Sequence, residues 1–313
     1  MIRMINFAEL FNFAEQPNSN QRKIPIASAL EVFYGLSPDG FLRLSFMSKS
    51  KAPKLESTKV LRVSQGEESS NVYWTCFDLL QNDAKSVYYT FCDSLVSAIT
   101  DITVEVTALN VLKKRFITWK AMFKQVQSQD ASREVIQGLF GELYFLKKYM
   151  LESYSVNEAI GAWAGADSKS KDYSIKNDWF EIKTVGANVN QVHISSLSQL
   201  SSSVPGHLVV IRVESMSEEF VADDSSINML LHDILLRIKD ELTEEQFLNK
   251  IKSVVGNITD KVLNEKFSVK SINFYLVDSN FPRLQESNIP FSEIENIEYY
   301  LNIKMLDKYR ESN

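Results

Sequence analysis

The chain has 313 residues, of which 44% are hydrophobic and 24% charged, and its formal net charge at pH 7 is −6. This length and apolar content predict about two globular domains with a sizeable core. The acidic balance argues against an extended nucleic-acid-coating surface, because such a surface needs a basic excess to displace counterions from phosphates. Local binding of nucleic acid stays open, since lysines and acidic residues balance between residues 161 and 193.

The N-terminal segment, residues 1–10, lacks the basic start and uninterrupted apolar run of a signal peptide, and no later stretch has the length of a membrane span. We therefore expect a cytoplasmic protein with no membrane partner. Cys76 and Cys92 each lie in an apolar pattern, far from any second cluster of ligand-type residues. This predicts buried free thiols rather than a zinc site or a disulfide.

The first part of the chain has the pattern of a β-rich N-terminal domain, which we place at residues 1–103. Apolar and β-branched residues predict strands near residues 26–34, 41–48, 59–64 and 72–79. A turn is expected at Ser37-Pro-Asp-Gly40, because Pro38 presets its own φ and Gly40 tolerates a positive φ. Helical spacing of apolar residues follows over residues 84–100.

The second domain is placed at residues 104–313 and begins with a helix over residues 106–126. Basic side chains beside its apolar stripe could contact phosphates, although such a charge run is usually a solvated face. These side chains are Lys113, Lys114, Arg115, Lys120 and Lys124.

Ser132 is a suitable N-cap for a further helix that reaches about residue 150. Glu142 is unusual in this helix, because Leu139, Phe145 and Leu146 at three- and four-residue spacing place it within the apolar stripe. Burial of a carboxylate is unfavourable unless it is paired with a cation or a metal. Glu142 therefore lies at the rim of the core or serves a functional site.

Residues 172–183 predict a β-hairpin that gathers two carboxylates and an amine. With Asn177-Asp178 as a two-residue turn, directly opposite residues share a face. Cross-strand neighbours lie roughly 4.5–5.5 Å apart, close enough for both carboxylates to hold one cation. The polar face would carry Asp172, Ser174, Glu181 and Lys183, and the apolar face Tyr173, Ile175, Phe180 and Ile182.

The remaining elements predict a mixed sheet. Strands are expected at residues 191–194 and 207–213, separated by a brief helix that Ser195 would cap. Helices near residues 227–239 and 244–255 and strands near 269–277 and 298–304 follow. Because a strand after a helical crossover can lie parallel to an earlier one, the expected fold class is α/β of the α+β type, a mixed sheet flanked by helices.

Glu142 on a helix, Asp172 on one strand and Glu181-Ile-Lys183 on the next resemble the PD-(D/E)XK nuclease superfamily, whose fold is restriction-endonuclease-like. Flanking sequences resemble a bacterial PD-(D/E)XK family often found beside restriction–modification or phage-defence genes. They are Gly138-Leu-Phe-Gly-Glu-Leu143, Trp163-Ala-Gly165, Thr184, Ile194-Ser-Ser-Leu-Ser-Gln-Leu200, Phe281-Pro-Arg-Leu284 and Ile289-Pro290. One departure is that Lys171, rather than proline, precedes Asp172.

The resemblance implies a metal-dependent DNA nuclease acting in restriction or phage defence. Asp172, Glu181, the Ile182 carbonyl and Glu142 would bind Mg²⁺ or Mn²⁺, which prefer oxygen ligands. Lys183 would orient or help deprotonate the attacking water and stabilise charge on the phosphate. The implied partners are DNA, an ATPase, helicase or methyltransferase of a restriction system, and a second copy of the chain.

Three alternatives stay open. The hairpin could carry only a surface ion pair between Asp172 and Lys183. The chain could be a catalytically silent member that binds nucleic acid or scaffolds a defence complex, or it could be an unrelated interaction protein. Gln199 and Ser195 are candidates for supporting polar groups, whereas His193 fits packing equally well.

Overall fold

The computed structural model describes residues 5, 7–14, 21–123, 131–167, 171–220, 222–256, 259–290, 293–294 and 296–311. The chain divides into two compact units, Met1–Asp130 with Asn257–Leu263, and Ala131–Gly256 with Asn264–Asn313. Across the described ranges, no helix combines the length and apolarity needed to cross a membrane.

An antiparallel sheet organises the first unit. Its order is β1-β2-β3-β5-β4, and the predicted strand over residues 72–79 forms as expected. The strand expected near 26–34 begins only at residue 31, and the one expected near 59–64 continues to residue 69. At the predicted turn, Gly40 has φ +83° and donates its N–H to the Ser37 carbonyl at 2.9 Å. The strands are β1 (Arg22–Ile24), β2 (Glu31–Leu36), β3 (Leu42–Ser48), β4 (Leu61–Ser69) and β5 (Val72–Leu79).

The helices of the first unit are α1 (Phe7–Ala14), α2 (Lys85–Ile99) and α3 (Glu105–Phe123). Phe77 of β5 contacts Phe91 of α2 and Phe116 of α3, with ring centroids 5.5 and 5.2 Å apart. Helix α3 therefore lies in the first unit, whereas the sequence placed it after a boundary at residue 103. Its apolar periodicity showed that one face is buried but not which core buries it.

Two further predictions for the first unit concern its cysteines and the basic run of α3. Cys76 and Cys92 are free and buried, as predicted. In the basic run of α3, Lys120 forms a 2.7 Å ion pair with Glu56. Lys124 and the expected end of that helix, residues 124–126, lie outside the described residues.

The second unit begins with α4 (Arg133–Phe145), whose N-cap Ser132 accepts a hydrogen bond from Val135 N–H at 3.4 Å, as predicted. The helix continues through a π-helical turn, Leu146–Met150, into α5 (Leu151–Ser153). The later helices of this unit are α6 (Val156–Ala162), α7 (Ile227–Arg237) and α8 (Glu241–Val255), whereas all but the last residue of α9 (Asp260–Asn264) belongs to the first unit.

A four-stranded mixed sheet forms the centre of the second unit, in the order β10-β9-β7-β6. Strands β7 and β9 are parallel, as the crossover between them predicted, and the other pairs are antiparallel. The strand predicted at residues 191–194 forms, but it pairs with β11 in a separate two-stranded sheet. The strands are β6 (Tyr173–Ile175), β7 (Asp178–Gly186), β8 (Gln191–Ile194), β9 (Gly206–Met216), β10 (Lys266–Val277) and β11 (Tyr299–Asn302).

Both faces of the four-stranded sheet are covered. Helix α4 packs on one face, where Phe145 contacts Tyr173 and Phe180 at ring-centroid distances of 5.2 Å. On the other face, Trp179 and Leu208 join a buried cluster with side chains from β8 and β11. The predicted α+β class, with mixed sheets flanked by helices, is confirmed. Side chains of β7 consequently lie in a protected environment on either face.

Candidate active site

Strands β6 and β7 form the predicted hairpin with a different turn. Tyr173 pairs with Phe180 and Ile175 with Asp178, so the turn is Lys176-Asn177 rather than Asn177-Asp178. Lys176 has φ +54°, the backbone conformation that the first position of a primed two-residue turn requires. The register differs from the expected one by two residues. Because strand side chains alternate with period two, the predicted division between the two faces is unchanged.

Asp172 lies just before β6, and the register continued by one step places it opposite Glu181. Its Oδ2 accepts a hydrogen bond from the Ile182 N–H at 2.7 Å. In a strand the N–H and C=O of one residue point to the same edge, so the Ile182 carbonyl also points toward Asp172. Two carboxylates and one carbonyl oxygen are therefore neighbours at this point of the hairpin.

Glu181 is buried, with an exposed fraction of 1%. Its Oε1 lies 3.0 Å from Lys183 Nζ, within ion-pair distance. Burial, and then the charge of Asp172, raise the pKa of Glu181 to about 8, against the opposing effect of Lys183. Burial also raises the pKa of Asp172 to about 6, although the Ile182 N–H and Lys183 oppose it. Nearby lysines offset only part of this effect, and a bound cation would provide further positive charge.

Glu142 approaches the same carboxylates from α4. Its Oε2 accepts a hydrogen bond from Trp163 Nε1 at 2.7 Å, and its main-chain carbonyl accepts one from the Tyr173 hydroxyl at 2.8 Å. Burial raises the pKa of Glu142 well above its usual value, and the charges of Asp172 and Glu181 raise it further. Of the two alternatives for this glutamate, the structure places it beside the hairpin carboxylates.

Lys183 is held from two sides. Its Nζ lies beside Glu181 and also donates to Gln199 Oε1 at 3.0 Å, and the same amide oxygen accepts the Ser195 N–H at 2.9 Å. Ser195 was expected to cap a helix with its side chain. Instead the segment is a 3₁₀ turn, Leu197–Gln199, whose N-cap is Ser196 and which has no side-chain cap. Gln199 thus fixes the lysine, and Ser195 contributes only its backbone.

This arrangement accompanies a match to a known family along nearly the whole chain. The model of the family described as "Putative PD-(D/E)XK family member, (DUF4420)" matches residues 6–304. The chain belongs to this family. No curated protein and no solved structure matches the chain. The resemblance found in the sequence is therefore confirmed, and with it a nuclease-like fold.

Sequence reasoning missed the role of Lys171 in this family member. Lys171 is buried, and its Nζ donates to the main-chain carbonyls of Ser198 and, at 3.0 Å, Ser201. The ammonium also lies 4.4 Å from the ring centroid of Trp179. Lys171 thereby holds the segment that carries Gln199. From the sequence, a lysine that precedes an aspartate is expected to be exposed to solvent. Only the three-dimensional contacts identify the structural role of Lys171.

Lys250 of α8 supports the site from the other side. Its Nζ donates to the carbonyl of Ile160 at 2.8 Å and to that of Trp163, at the end of α6. This contact fixes the backbone of Trp163, whose indole holds Glu142. Nothing in the local sequence marks Lys250, because its partners lie far away along the chain.

Two histidines of this unit, His193 and His207, have partners outside the candidate site. His193 lies 2.9 Å from Glu298 and stacks on Tyr300, both at the edge of the small sheet. His207 lies 2.9 Å from Glu311 and stacks on Phe180.

The donor set fits Mg²⁺ or Mn²⁺. In the part of the chain that the structure describes, no three His, Cys, Asp or Glu side chains are grouped closely enough to hold an ion by themselves. Mg²⁺ is usually bound through one or two carboxylates while it keeps several waters. The ligands that Asp172, Glu181 and the Ile182 carbonyl offer are therefore of the type and number that Mg²⁺ needs. The burial of Glu181 beside a second carboxylate, with the Lys183 ammonium 3.0 Å from its Oε1, is the clearest sign that a cation fits this position.

Proposed function

We propose that this chain is a Mg²⁺- or Mn²⁺-dependent phosphodiesterase that cleaves DNA in restriction or phage defence. The observation that carries the proposal is the pair of Asp172, which is partly buried, and Glu181, which is buried, with Lys183 beside them. Membership of a PD-(D/E)XK family supports a nuclease-like site on this fold. The raised pKa values of both carboxylates support a cation between them.

Asp172, Glu181 and the Ile182 carbonyl are the groups that would hold the ion. Glu142 would bind a second ion or hold a water in the outer shell. A bound ion supplies Lewis acidity toward the phosphate and lowers the pKa of a coordinated water. Trp163 would keep Glu142 directed at the cluster through its indole hydrogen bond.

Lys183 would act on the substrate directly. Its ammonium, oriented by Gln199 and Glu181, can position the attacking water and donate to a phosphate oxygen as negative charge develops there. A charged donor placed where charge builds up in the transition state is usually a large contribution to catalysis. Lys171 would support this geometry by holding the Gln199 segment.

The test is cleavage of DNA and RNA by the purified chain with Mg²⁺, with Mn²⁺ and with EDTA. We expect metal-dependent cleavage of DNA, lowered about 100-fold or more in Glu181→Gln and Lys183→Met, which preserve side-chain size. Lys176→Met, in the exposed turn of the same hairpin, is the matched control and should keep full activity. Cleavage in EDTA, or full activity in both site variants, would refute the proposal.

A second candidate is a catalytically silent member that binds nucleic acid or scaffolds a defence complex. The formal net charge of −6 favours it, because an extended contact with DNA needs a basic excess. Calorimetric titration with Mn²⁺ separates the two, because a silent site should bind no ion, whereas the proposed site should bind Mn²⁺ and lose it in Glu181→Gln. DNA, an ATPase, helicase or methyltransferase of a restriction system, and a second copy of the chain remain proposed partners.

A further inference from the structure

The first unit has an open cleft of about 610 Å³ on the face of its sheet opposite Phe77. Phe33 from β2, Arg43 from β3 and Trp74 from β5 line it, with Glu67 at the rim. In the strand register the small Ser45 lies beside Phe33, which leaves room above the centre of the sheet. We call this the sheet cleft.

The sheet cleft presents a fixed aromatic surface. The rings of Phe33 and Trp74 lie 5.2 Å apart between centroids, tilted by 54°. Trp74 pairs across the strands with Gly66, and a Cβ added at Gly66 would meet nothing within 4 Å, so no side chain covers the indole from β4. The indole N–H donates to Glu68, which fixes the orientation of the ring.

Arg43 is a fixed hydrogen-bond donor in the same cleft. Its Nε and Nη2 donate to the two carboxylate oxygens of Asp78 at 2.6 and 2.8 Å, and Asp78 is fully buried. This bond raises the pKa of Arg43, so the guanidinium stays charged. A bidentate pair holds the guanidinium plane, and Nη1 keeps its donors, with no bond to another described residue.

The cleft is built for binding rather than for chemistry. Burial raises the pKa of the Cys76 thiol, so the nearest nucleophile is kept protonated. The remaining polar groups offer complementary hydrogen bonding, with donors on Arg43 and an exposed carboxylate on Glu68, one oxygen of which accepts the Trp74 N–H.

We propose that the sheet cleft binds a nucleobase, stacked on Trp74, in contact with Phe33 and bonded along its edge to Arg43 and Glu68. Aromatic side chains stack favourably on every base, because each base has a π face. A base edge presents acceptors and donors side by side, which match a guanidinium and a carboxylate. This binding site lies in the unit without the candidate nuclease residues and is independent of cleavage.

Charge favours this ligand class over two others. Glu67 and Glu68 at the rim oppose a phosphate group, so phosphates of the same strand would lie outside the cleft. A methylated ammonium would suit the rings and carboxylates, but the fixed guanidinium of Arg43 repels it. An uncharged planar ring avoids both repulsions, that of an anion by the glutamates and that of a cation by Arg43.

The test uses the fluorescence of the full-length chain. Trp74 is partly exposed, whereas Trp119, Trp163 and Trp179 have exposed fractions of 1%, 0% and 3%. Titration with adenosine, guanosine, cytidine and thymidine should quench Trp74 emission in a saturable way for at least one nucleoside.

Two variants and a control probe the contacts. Phe33→Ala should weaken binding about 10-fold through the lost aromatic contact. Glu68→Gln, at an exposed position, should weaken the binding of nucleosides whose base donates a hydrogen bond at that edge. Tyr73→Leu is the matched control, because Tyr73 lies on the opposite face of β5 and should leave binding unchanged. Circular dichroism melts confirm that each variant is folded.

Several results would overturn the proposal: no quenching by any nucleoside, unchanged affinity in both Phe33→Ala and Glu68→Gln, or saturation by trimethyllysine in place of nucleosides. We expect 5′-monophosphates to bind no more tightly than nucleosides, and clearly tighter binding would also contradict it. Lys183→Met should bind nucleosides like the unmodified chain, so failure of the nuclease proposal would show in cleavage and not here.

Discussion

The carboxylate of Asp172 accepts the main-chain N–H of Ile182 at 2.7 Å, in the position where the ladder of β6 and β7 would continue. The strand β6 begins only at Tyr173, so this side chain replaces the next backbone acceptor. The contact links an acidic residue before one strand to the middle of the next. The geometry of the candidate metal ligands therefore depends on the register of the hairpin, and the turn sets that register.

The turn gives the first prediction. Lys176 has φ +54°, a conformation that is unfavourable by about 1–2 kcal/mol for a side chain with a Cβ. Lys176→Gly should raise the free energy of unfolding by about 0.5–1 kcal/mol after its larger unfolded-state entropy is subtracted. Lys176→Val should lower it, because β-branched residues tolerate this region worst. Urea denaturation measures both. Asn177→Gly is the control and should not stabilise, because Asn177 has no positive φ.

The two-residue difference in register shows why the site could be predicted when the turn was not. Local turn chemistry favoured Asn177-Asp178, and the structure uses Lys176-Asn177. A shift by one residue would have exchanged the faces, but a shift by two preserves them. The grouping of Asp172 with Glu181 thus followed from strand periodicity alone.

The second prediction compares two glycines of α4. A Cβ at Gly141 would lie 1.8 Å from Thr184 Oγ1 and 2.9 Å from Thr184 Cβ, whereas one at Gly138 would meet nothing within 4 Å. Gly138→Ala should stabilise the chain by about 0.5–1 kcal/mol through helix propensity. Gly141→Ala should destabilise it by about 1–3 kcal/mol, because α4 must move away from β7. Thermal and urea denaturation of the pair provide the measurement, and equal effects at both positions would contradict the close packing of α4 on β7.

The third prediction concerns pH. The pKa of Glu181 is raised from 4.5 to about 8 and that of Asp172 from 3.8 to about 6. A carboxyl group whose pKa is raised by folding stabilises the fold below its unfolded pKa, and this stability is lost as pH rises through the folded pKa. Metal-free protein should therefore lose stability between about pH 4.5 and pH 8. In EDTA, Glu181→Gln should melt at a higher temperature than the unmodified chain, by a margin that grows with pH.

Groups far from Glu181 affect both proteins equally, so the difference in melting temperature reports Glu181 together with the carboxylates coupled to it, Asp172 and Glu142. A difference that stayed constant or shrank toward high pH would contradict the raised pKa. Under the proposed function, Mn²⁺ should stabilise the unmodified chain most at high pH, where both carboxylates are ionised, and should have little effect on Glu181→Gln.

What the sequence could not supply are contacts between distant segments. Periodicity predicted α4 with its buried stripe and most of the strand positions, because each is a local pattern. The placement of α3 against Phe77 and the pairing of β8 with β11 join segments that no local pattern connects. The same holds for Lys171, whose partners are two carbonyls in a loop about 30 residues later.

Lys171 gives the last prediction. Lys171→Met keeps most of the apolar stem against Trp179 but removes the donor to the carbonyls of Ser198 and Ser201. The free energy of unfolding should fall by about 1–2 kcal/mol, because relief from burying a charge offsets part of the lost hydrogen bonding. Amide hydrogen exchange in residues 197–201 should accelerate, since that segment loses its attachment to the start of β6.

Lys239→Met, at an exposed position with no resolved partner, is the matched control for these measurements and should change neither quantity. Lys171→Arg distinguishes charge from shape, because it keeps a cation but cannot place a single ammonium between both carbonyls. If exchange in residues 197–201 were unchanged in Lys171→Met, Gln199 would have to be held by its own contacts to Lys183 and Ser195. In that case the orientation of Lys183 would depend on the 3₁₀ turn alone, and Gln199→Ala would disturb it while Lys171→Met would not.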